Sequence, residues 1–297
     1  MPQPVGLMAK RKLKEKDMPA IPADAATVML LRPCPDRGVQ DIEVLLVLRN
    51  RKSSFVPGYH VFPGGVLDPE DYEPGMERFI RCIDRKQAAR IFSDMSHPEK
   101  ALGTWVAAIR ETFEEVGLLL ARKKDGTSVT IGTDEERQRF GLYRKALIKG
   151  EMKFSQMLEA EDIVLSGDDL HYFSHWITPE YLSLRYDVRF FMAQAPAEQF
   201  AVCDGMELTN HSWLRPAVAL ADYEMGKIGM VLPQIITLEE LSRFKMIEEA
   251  IVSARERHVP TILTKIVQLD GRDVEVMPDG SVFENRPPVY PQPDHKK

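Results

Sequence analysis

Three glutamates stand close together in the segment WVAAIRETFEEVGLLL, residues 105–120. Glu111, Glu114 and Glu115 are spaced i, i+3 and i+4, and at about 100° per residue such positions share one face of an α-helix. The apolar residues recur at helical spacing, which predicts that helix, and Gly117 stands where a left-handed residue would end it. Like charges at these positions repel one another, whereas a hard cation such as Mg²⁺ or Mn²⁺ attracts all three carboxylates. The segment alone therefore predicts either a metal site or a solvated acidic face.

A second segment, HVFPGGVLDPED at residues 60–71, favours the metal site. It begins as a short apolar strand and runs into a Gly-Gly turn. Together the two segments resemble the signature of the Nudix hydrolase family. That signature is a glycine, five residues and an acid, then, after a spacer, Arg-Glu, an aliphatic residue, x-Glu-Glu-x-Gly and another aliphatic residue. Gly65 takes the first position, Asp71 the acid, and residues 110–118 the second half.

The chain departs from this signature in three places. The acid is Asp71 where the pattern has Glu, and Thr112 stands at an aliphatic position. Between Asp71 and Arg110 lie 38 residues where the pattern has seven, so an insertion of 31 residues splits the box. A box split in this way resembles the Nudix subgroup related to the peroxisomal coenzyme A diphosphatase. The segments HWITPE, RYDVRFF and ELTNHSWLRP add to this likeness, which spans roughly residues 25–240.

The resemblance implies a fold, an activity and a metal centre. The expected fold class is α/β, a Nudix α/β/α sandwich with a mixed β-sheet and a helical insertion within the box. The expected reaction is attack of water on the pyrophosphate of a nucleoside diphosphate derivative, assisted by Mg²⁺ or Mn²⁺. By this likeness Glu111 and Glu115 are the principal metal ligands, Glu114 also lies at the metal, and the carbonyl of Gly64 completes the inner shell.

The same resemblance assigns the remaining catalytic roles. Arg110 corresponds to the box arginine, which holds the glutamates in place, and Asp71 is expected to shape the loop. Glu207 is the predicted general base, because acids downstream of the box often serve in this role. The predicted catalytic residues are therefore Glu207, Glu114 and Arg110. The alternative for Glu207, an acid on the solvent face of a strand, remains open.

Four arginines are candidates for binding substrate phosphates, because a guanidinium group matches phosphate oxygens. They are Arg49, Arg51, Arg185 and Arg189. Arg185 and Arg189 are four residues apart, so on an unbroken strand they lie on one face. Surface ion pairs are the alternative explanation for these arginines.

A pattern before the box bears on the substrate. Coenzyme A-specific Nudix enzymes carry the signature Leu-Leu-Thr-x-Arg, a small residue, then a second Arg, a Gly and Phe-Pro-Gly-Gly at set intervals. This chain has residues 45–49, Gly58 and residues 62–65 at those intervals, with Val47, Asn50 and Ser54 as departures. We therefore expect coenzyme A or acyl-CoA to be cleaved to 3′,5′-ADP and (acyl-)phosphopantetheine. The alternatives are an ADP-ribose or dinucleotide pyrophosphatase and, from another class, a non-catalytic ligand-sensing Nudix module.

Composition restricts the partners and the compartment. A net charge of −6 in 297 residues argues against a non-specific nucleic-acid binder. The three cysteines never form a CxxC pair, which is typical of a reducing compartment. No apolar run reaches 18 residues, so no membrane span is expected. We expect a cytoplasmic enzyme with a CoA-type nucleotide substrate, and the sequence leaves a homodimer open.

The order of patterns predicts the domain organisation. Residues 1–22 form a basic disordered arm, residues 23–257 the Nudix hydrolase domain with its insertion at about 72–103, and residues 258–297 a C-terminal extension. Strands are expected at 25–32 and 42–49 as an antiparallel pair. Helices are expected at 76–92, 134–149, 154–163 and 238–257. The insertion is expected to fold as helix beside the active site and to shape substrate access.

Overall fold

A computed structural model of the chain describes residues 19–36, 38, 40–269 and 272–283. Most of the predicted basic arm and the end of the predicted extension lie outside these residues. The helices are α1 Arg85–Ile91, α2 Ala101–Val116, α3 Asp134–Ile148, α4 Phe154–Glu161, α5 Pro216–Glu224, α6 Leu232–Leu241 and α7 Ile247–Glu256. The strands are β1 Ala23–Pro33, β2 Ile42–Arg49, β3 His60–Val61, β4 Gly64–Val66, β5 Ile80–Arg81, β6 Ala121–Lys123, β7 Ile163–Ser166, β8 His171–Ile177, β9 Tyr186–Gln194, β10 Leu208–Leu214, β11 Thr261–Leu263, β12 Lys265–Leu269, β13 Arg272–Val276 and β14 Val282–Phe283.

A mixed sheet forms the centre of the fold. Its strands follow the order β10, β2, β1, β9, β8, β11, with β3 beside β2 and β4 beside β1. The β1–β9 and β11–β8 pairs are parallel and the other pairs are antiparallel. The predicted antiparallel pairing of the first two strands is confirmed, with Leu31 opposite Val44. Two further sheets, β12–β13–β14 and β5–β7–β6, have three strands each.

The central strand β1 and the helix α2 together form the core beneath the glutamates. Every residue of β1 from Ala25 to Leu31 is buried, as expected of a strand covered on both faces. Trp105 of α2 stacks on Phe92, with ring centroids 4.6 Å apart, and packs against Phe191 of β9 at 5.0 Å. The helix ends at Gly117 as predicted, where φ is +72° and the amide donates to the carbonyl of Phe113. This packing fixes the last turns of α2, which carry the three glutamates.

The prediction of one helix over residues 76–92 is wrong. The segment contains a 3₁₀ turn, the short strand β5, and only then the helix α1. Ile80 and Arg81 pair in parallel with β7, and Cys82 follows in the left-handed region with a φ of 62°. Asp84 then caps α1 by accepting a hydrogen bond from the amide of Gln87. Strand pairing that the local sequence does not encode therefore overrides its helical periodicity.

The prediction of one long helix over residues 238–257 is also wrong, because α6 and α7 are separate. The hydroxyl of Ser242 donates to the carbonyl of Glu239 at 2.7 Å, a local bond that competes with helix continuation. The carboxylate of Glu249 then accepts from the amides of Lys245 at 3.2 Å and Met246 at 3.3 Å. These bonds start a new helix at Ile247. By contrast, the helices predicted at 134–149 and 154–163 are confirmed as α3 and α4.

The segment after residue 257 is built onto the main sheet. Strand β11 pairs in parallel with β8, with Thr261 opposite His175. Strand β12 then pairs with β13, with Lys265 opposite Val276, and β14 completes the small sheet. The described part of the predicted extension thus packs against the same domain that carries the glutamates.

Gly103 tests how closely the insertion packs on α2. A Cβ added there would lie 2.9 Å from the Cβ of Tyr72 and 3.2 Å from the backbone of Asp71. Overpacking of this kind costs about 1–3 kcal/mol, more than the gain of about 1 kcal/mol in helix propensity. We therefore expect Gly103→Ala to lower the free energy of unfolding, measured by chemical denaturation.

Gly141 provides the matched control, because it lies within α3 and a Cβ added there meets no atom within 4 Å. Gly141→Ala should raise the free energy of unfolding by about 0.5–1 kcal/mol. Equal stabilisation by both substitutions would show that the insertion is not closely packed on α2.

Candidate active site

Arg110 connects the two halves of the split box. Its side chain is only 5% exposed. Its Nε and Nη2 atoms donate to the two oxygens of Asp71 at 2.8 and 2.9 Å, and Nη2 also donates to the carbonyl of Val66 at 3.1 Å. Its Nη1 atom donates to Glu111 Oε1 at 2.8 Å and to Glu114 Oε1 at 3.4 Å. One buried guanidinium thus holds the loop after the Gly-Gly turn and two of the three glutamates.

The Gly64–Gly65 turn lies directly against the third glutamate. Strand β4 pairs with β1, so that Gly64 is opposite Thr27, and the Gly64 amide donates to Glu115 Oε2 at 2.8 Å. A Cβ at Gly65 would collide with the carboxylate of Glu111. Glycine is therefore required for the close approach of the turn to Glu111 and Glu115.

Burial makes these carboxylates electrostatically unfavourable without a cation. It raises the pKa of Glu111 to about 7, although Arg110 partly opposes the shift. Burial and then the charge of Glu111 raise the pKa of Glu115 well above its ordinary value. The pKa of Glu114 is also raised, chiefly by burial. Oxygen ligands that resist ionisation in this way suit a hard divalent cation, whose charge would offset theirs.

The ligand set is not preassembled. Among the residues that the structure describes, no three His, Cys, Asp or Glu side chains are arranged to hold a metal ion. The reason lies in the contacts above, since Arg110 holds Glu111 and Glu114 while the Gly64 amide holds Glu115. Their chemistry fits a divalent metal, but their carboxylates would have to turn toward a common point.

A cleft of about 290 Å³ opens beside these residues. The cleft is lined by Glu111, Gly64 and Gly65, and Arg49 and Glu207 also line it. Its aromatic residues are Phe55, Phe62, Trp176, Tyr186 and Phe190. Polar groups from the C-terminal half of the chain, Gln234, Thr264 and Glu275, also line it. Sequence analysis gave these wall residues no role at the site, because only the fold brings them together.

Arg49 and Glu207 form an ion pair at the cleft, with Nη2 and Oε1 2.6 Å apart. Arg49 ends β2 and pairs with Leu208, the first residue of β10. The carboxylate of Asp204 accepts hydrogen bonds from the amides of residues 206, 207 and 208, which fixes the start of that strand. The Nε atom of Arg49 is buried without a hydrogen-bond partner among the described residues.

The structure places the other three candidate arginines outside the cleft lining. Arg51 is exposed in the turn after β2. Arg185 donates to the carbonyls of Thr178 at 2.9 Å and Ala20 at 2.6 Å. Arg189 is 1% exposed and pairs with Asp187 and Asp94. The period of two along a strand explains this correction, because β9 turns Tyr186, Val188 and Phe190 to the cleft and its odd-numbered residues to the other face.

The insertion also lies away from the cleft. All residues from 72 to 103 are described, and none of them lines it. The insertion instead packs against the N-terminal half of α2, where Phe92 stacks on Trp105. Its contact with the site runs through the loop of Asp71, and the expectation that it shapes substrate access stays a prediction.

Comparison with known proteins identifies the family. Residues 23–243 match the family model described as the NUDT19 Nudix domain. The chain belongs to the Nudix hydrolase family. It is similar to the acyl-coenzyme A diphosphatase NUDT19 of Xenopus laevis, with 27% identity over 86% of this chain and 75% of that protein. The human protein of the same name is 25% identical over 86% of this chain and 76% of its own length.

A solved structure supports the same assignment. The crystal structure of a NUDIX hydrolase from Alicyclobacillus acidocaldarius has a TM-score of 0.63 and 26% identity, covering 78% of this chain and 96% of that one. The predicted family, the α/β Nudix architecture and the class of pyrophosphate-hydrolysing enzyme are thus confirmed. No helix in the described ranges is long and apolar enough to cross a membrane.

Glu111 gives a pH-dependent prediction for the metal-free enzyme. Its pKa is raised from 4.5 to about 7 in the folded state, so its protonated form is favoured on folding. The stability that it contributes is complete below pH 4.5 and is lost as the pH rises to about 7, a change of roughly 3 kcal/mol. Glu111→Gln is neutral throughout. In a chelator, the free energy of unfolding of the variant minus that of the native enzyme should therefore increase across this interval and be constant above it.

Added Mg²⁺ serves as the control, because a cation that binds the ionised carboxylate should reduce the loss in the native enzyme more than in the variant. A difference between the two proteins that does not change with pH would contradict the shifted pKa.

Proposed function

We propose that this Nudix enzyme is a divalent-metal-dependent diphosphatase that cleaves coenzyme A or acyl-CoA to 3′,5′-ADP and (acyl-)phosphopantetheine. The observation that carries the proposal is the composition of the cleft, where carboxylates and an arginine adjoin a long apolar wall. Curated relatives at 24–27% identity are named acyl-coenzyme A diphosphatases, which agrees with this substrate class.

Glu111 and Glu115 would hold Mg²⁺ or Mn²⁺, with Glu114 and the carbonyl of Gly64 as further ligands. Nudix hydrolases generally use divalent metals, and three carboxylates with raised pKa values, one buried and two partly buried, are suitable ligands for one. When bound, such an ion neutralises phosphate charge and makes water a better nucleophile. Arg110 would position Glu111 and Glu114 through its two contacts, without touching the substrate.

Glu207 is the proposed general base and Arg49 the proposed phosphate ligand. In the described structure the two side chains are bound to each other, because Arg49 Nη2 and Glu207 Oε1 form an ion pair at 2.6 Å. A substrate phosphate that accepts hydrogen bonds from Arg49 would compete with Glu207 for the guanidinium group. Binding of substrate would thereby free the Glu207 carboxylate to accept a proton from the attacking water. The two residues act in sequence, and neither role requires the arginines outside the cleft.

The apolar wall favours the pantetheine arm or an acyl chain over a second ribose. Besides its aromatic residues, the wall contains the aliphatic residues Val56, Val61, Val188 and Val231. Burying apolar groups against these side chains yields about 25 cal/mol per Å², whereas a ribose placed on the same aliphatic and aromatic surface would lose hydration without gaining hydrogen bonds from it. The charged part of the substrate would then lie at the glutamates and the aliphatic part along the wall.

The metal role is tested by Glu115→Gln. The amide keeps the shape of the side chain and can still accept the Gly64 hydrogen bond, but it loses charge as a metal ligand. In Mg²⁺ or Mn²⁺, we expect kcat/KM for coenzyme A to fall at least about a hundredfold. The metal-free Tm should hold or rise, because a buried charge beside Glu111 is removed. Glu239→Gln on the exposed face of α6 is the matched control, and near-native turnover by Glu115→Gln would refute the metal assignment.

The substrate is tested by comparing coenzyme A and acyl-CoA with ADP-ribose. We expect native kcat/KM to favour the coenzyme A compounds by at least about tenfold. Val188→Asn places an amide in the apolar wall, which should lower kcat/KM for acyl-CoA by roughly tenfold while ADP-ribose changes far less.

Val252→Asn, on the surface of α7, is the control for this substitution. Equal losses on both substrates would place the shared ADP half against the wall. Faster cleavage of ADP-ribose by the native enzyme would replace the coenzyme A proposal with that of an ADP-ribose pyrophosphatase.

A further inference from the structure

Two buried oxygen atoms in the cleft wall lack partners. Glu275 is 1% exposed, and its Oε1 atom accepts a hydrogen bond from the hydroxyl of Thr264. Its Oε2 atom has no hydrogen-bond partner within the described ranges. Gln234 is 6% exposed, and its Oε1 atom is likewise unpartnered among these residues. Both side chains line the cleft that contains Glu111 and Gly64.

These oxygen atoms carry a cost in the ligand-free protein. A buried acceptor without a donor loses its hydration, and the loss is greater for an ionised group. Burial accordingly raises the pKa of Glu275, and only the Thr264 hydrogen bond opposes that rise. A hydrogen-bond donor brought into the cleft by a ligand would offset this cost.

We propose that Glu275 and Gln234 form an acceptor subsite, which binds a hydrogen-bond donor of the substrate outside its diphosphate. The inference rests on the proposed function above and deepens it. Phosphate is disfavoured at this subsite, because the two unpartnered atoms are acceptors and an ionised carboxylate repels it. Coenzyme A offers suitable donors in both halves, the amino group of adenine in one and the amide and hydroxyl groups of pantetheine in the other.

One half of the subsite, Glu275 with its partner Thr264, comes from a part of the chain distinct from the reaction centre. Thr264 follows β11 and Glu275 lies on β13, both beyond residue 243, where the match to the family model ends. Parallel pairing of β11 with β8 brings this segment to the sheet beside Trp176, which also lines the cleft. The C-terminal segment thus supplies a polar group to a cleft whose reacting residues all precede it.

The test measures binding of the two halves of the substrate to Glu275→Met and Gln234→Met. Methionine matches both side chains in length and has no oxygen. Titration calorimetry in Mg²⁺ gives Kd for 3′,5′-ADP and for 4′-phosphopantetheine. We expect Glu275→Met to raise Kd for one of them at least about tenfold and to leave the other within about twofold. Gln234→Met should affect the same compound, which identifies the half that the subsite binds.

Thermal stability distinguishes binding from structure. Replacing a buried carboxyl, of which one oxygen has no partner among the described residues, by an apolar side chain should leave the Tm of Glu275→Met unchanged or higher. Val282→Met on β14, a half-exposed residue of the same small sheet outside the cleft lining, is the control. A lower Tm with both Kd values unchanged would assign Glu275 a structural role and overturn the subsite. Equal weakening of both compounds would indicate general distortion and overturn it as well.

Binding and cleavage by the native enzyme distinguish failure of the proposed function from failure of the subsite. A native enzyme that binds neither compound and does not cleave coenzyme A refutes the coenzyme A assignment and the subsite together. A native enzyme that cleaves coenzyme A while both variants bind both products normally refutes the subsite alone.

Discussion

The buried guanidinium of Arg110 is the interaction on which the rest of the site depends. An arginine side chain has five N–H donors and remains charged in proteins, so its burial is tolerable only when most of those donors are used. Here they bind Asp71, the Val66 carbonyl, Glu111 and Glu114. This set of bonds explains how a split box can function. It joins Asp71 to Arg110, 39 positions later in the chain, and none of these bonds involves a residue of the insertion. The insertion needs only to return the chain to α2.

Arg110 compensates the acidic cluster only in part. It contacts Glu111 and Glu114 but not Glu115, whose pKa is raised by burial, by Glu111 and by Glu207, with the Gly64 amide and Arg49 in opposition. One buried cation therefore faces Asp71 and three glutamates, and the excess negative charge lies where the Gly-Gly turn meets α2. A fold selected for stability alone would not concentrate carboxylates in this way. The arrangement is favourable once a divalent cation and a polyanionic substrate share the site.

Local sequence predicted the parts of the structure that depend on local chemistry. The i, i+3, i+4 glutamates, Gly117 and the close glycine turn follow from helix geometry and from the lack of a Cβ, and all lie as expected. Patterns failed where a distant partner decides the outcome. Pairing with β7 replaced a helix by β5, and bonds from Ser242 and Glu249 divided another. The expectation that Arg185 and Arg189 share a strand face could not reveal that Tyr186, Val188 and Phe190 of β9 border the cleft.

The residues proposed for chemistry and those of the cleft wall come from different elements of the fold. The residues proposed to act on the diphosphate come from α2, the Gly-Gly turn, β2 and the start of β10, all within the family-wide segment. The wall that meets the rest of the substrate draws on β8, β9, α6 and the segment after β11. Because binding energy from the non-reacting part of a substrate can be used at the reacting bond, changes in this wall can alter selectivity without changing the metal ligands. The C-terminal segment, which adds Glu275 to that wall, is therefore the part of the chain where substrate preference can change at the least cost to catalysis.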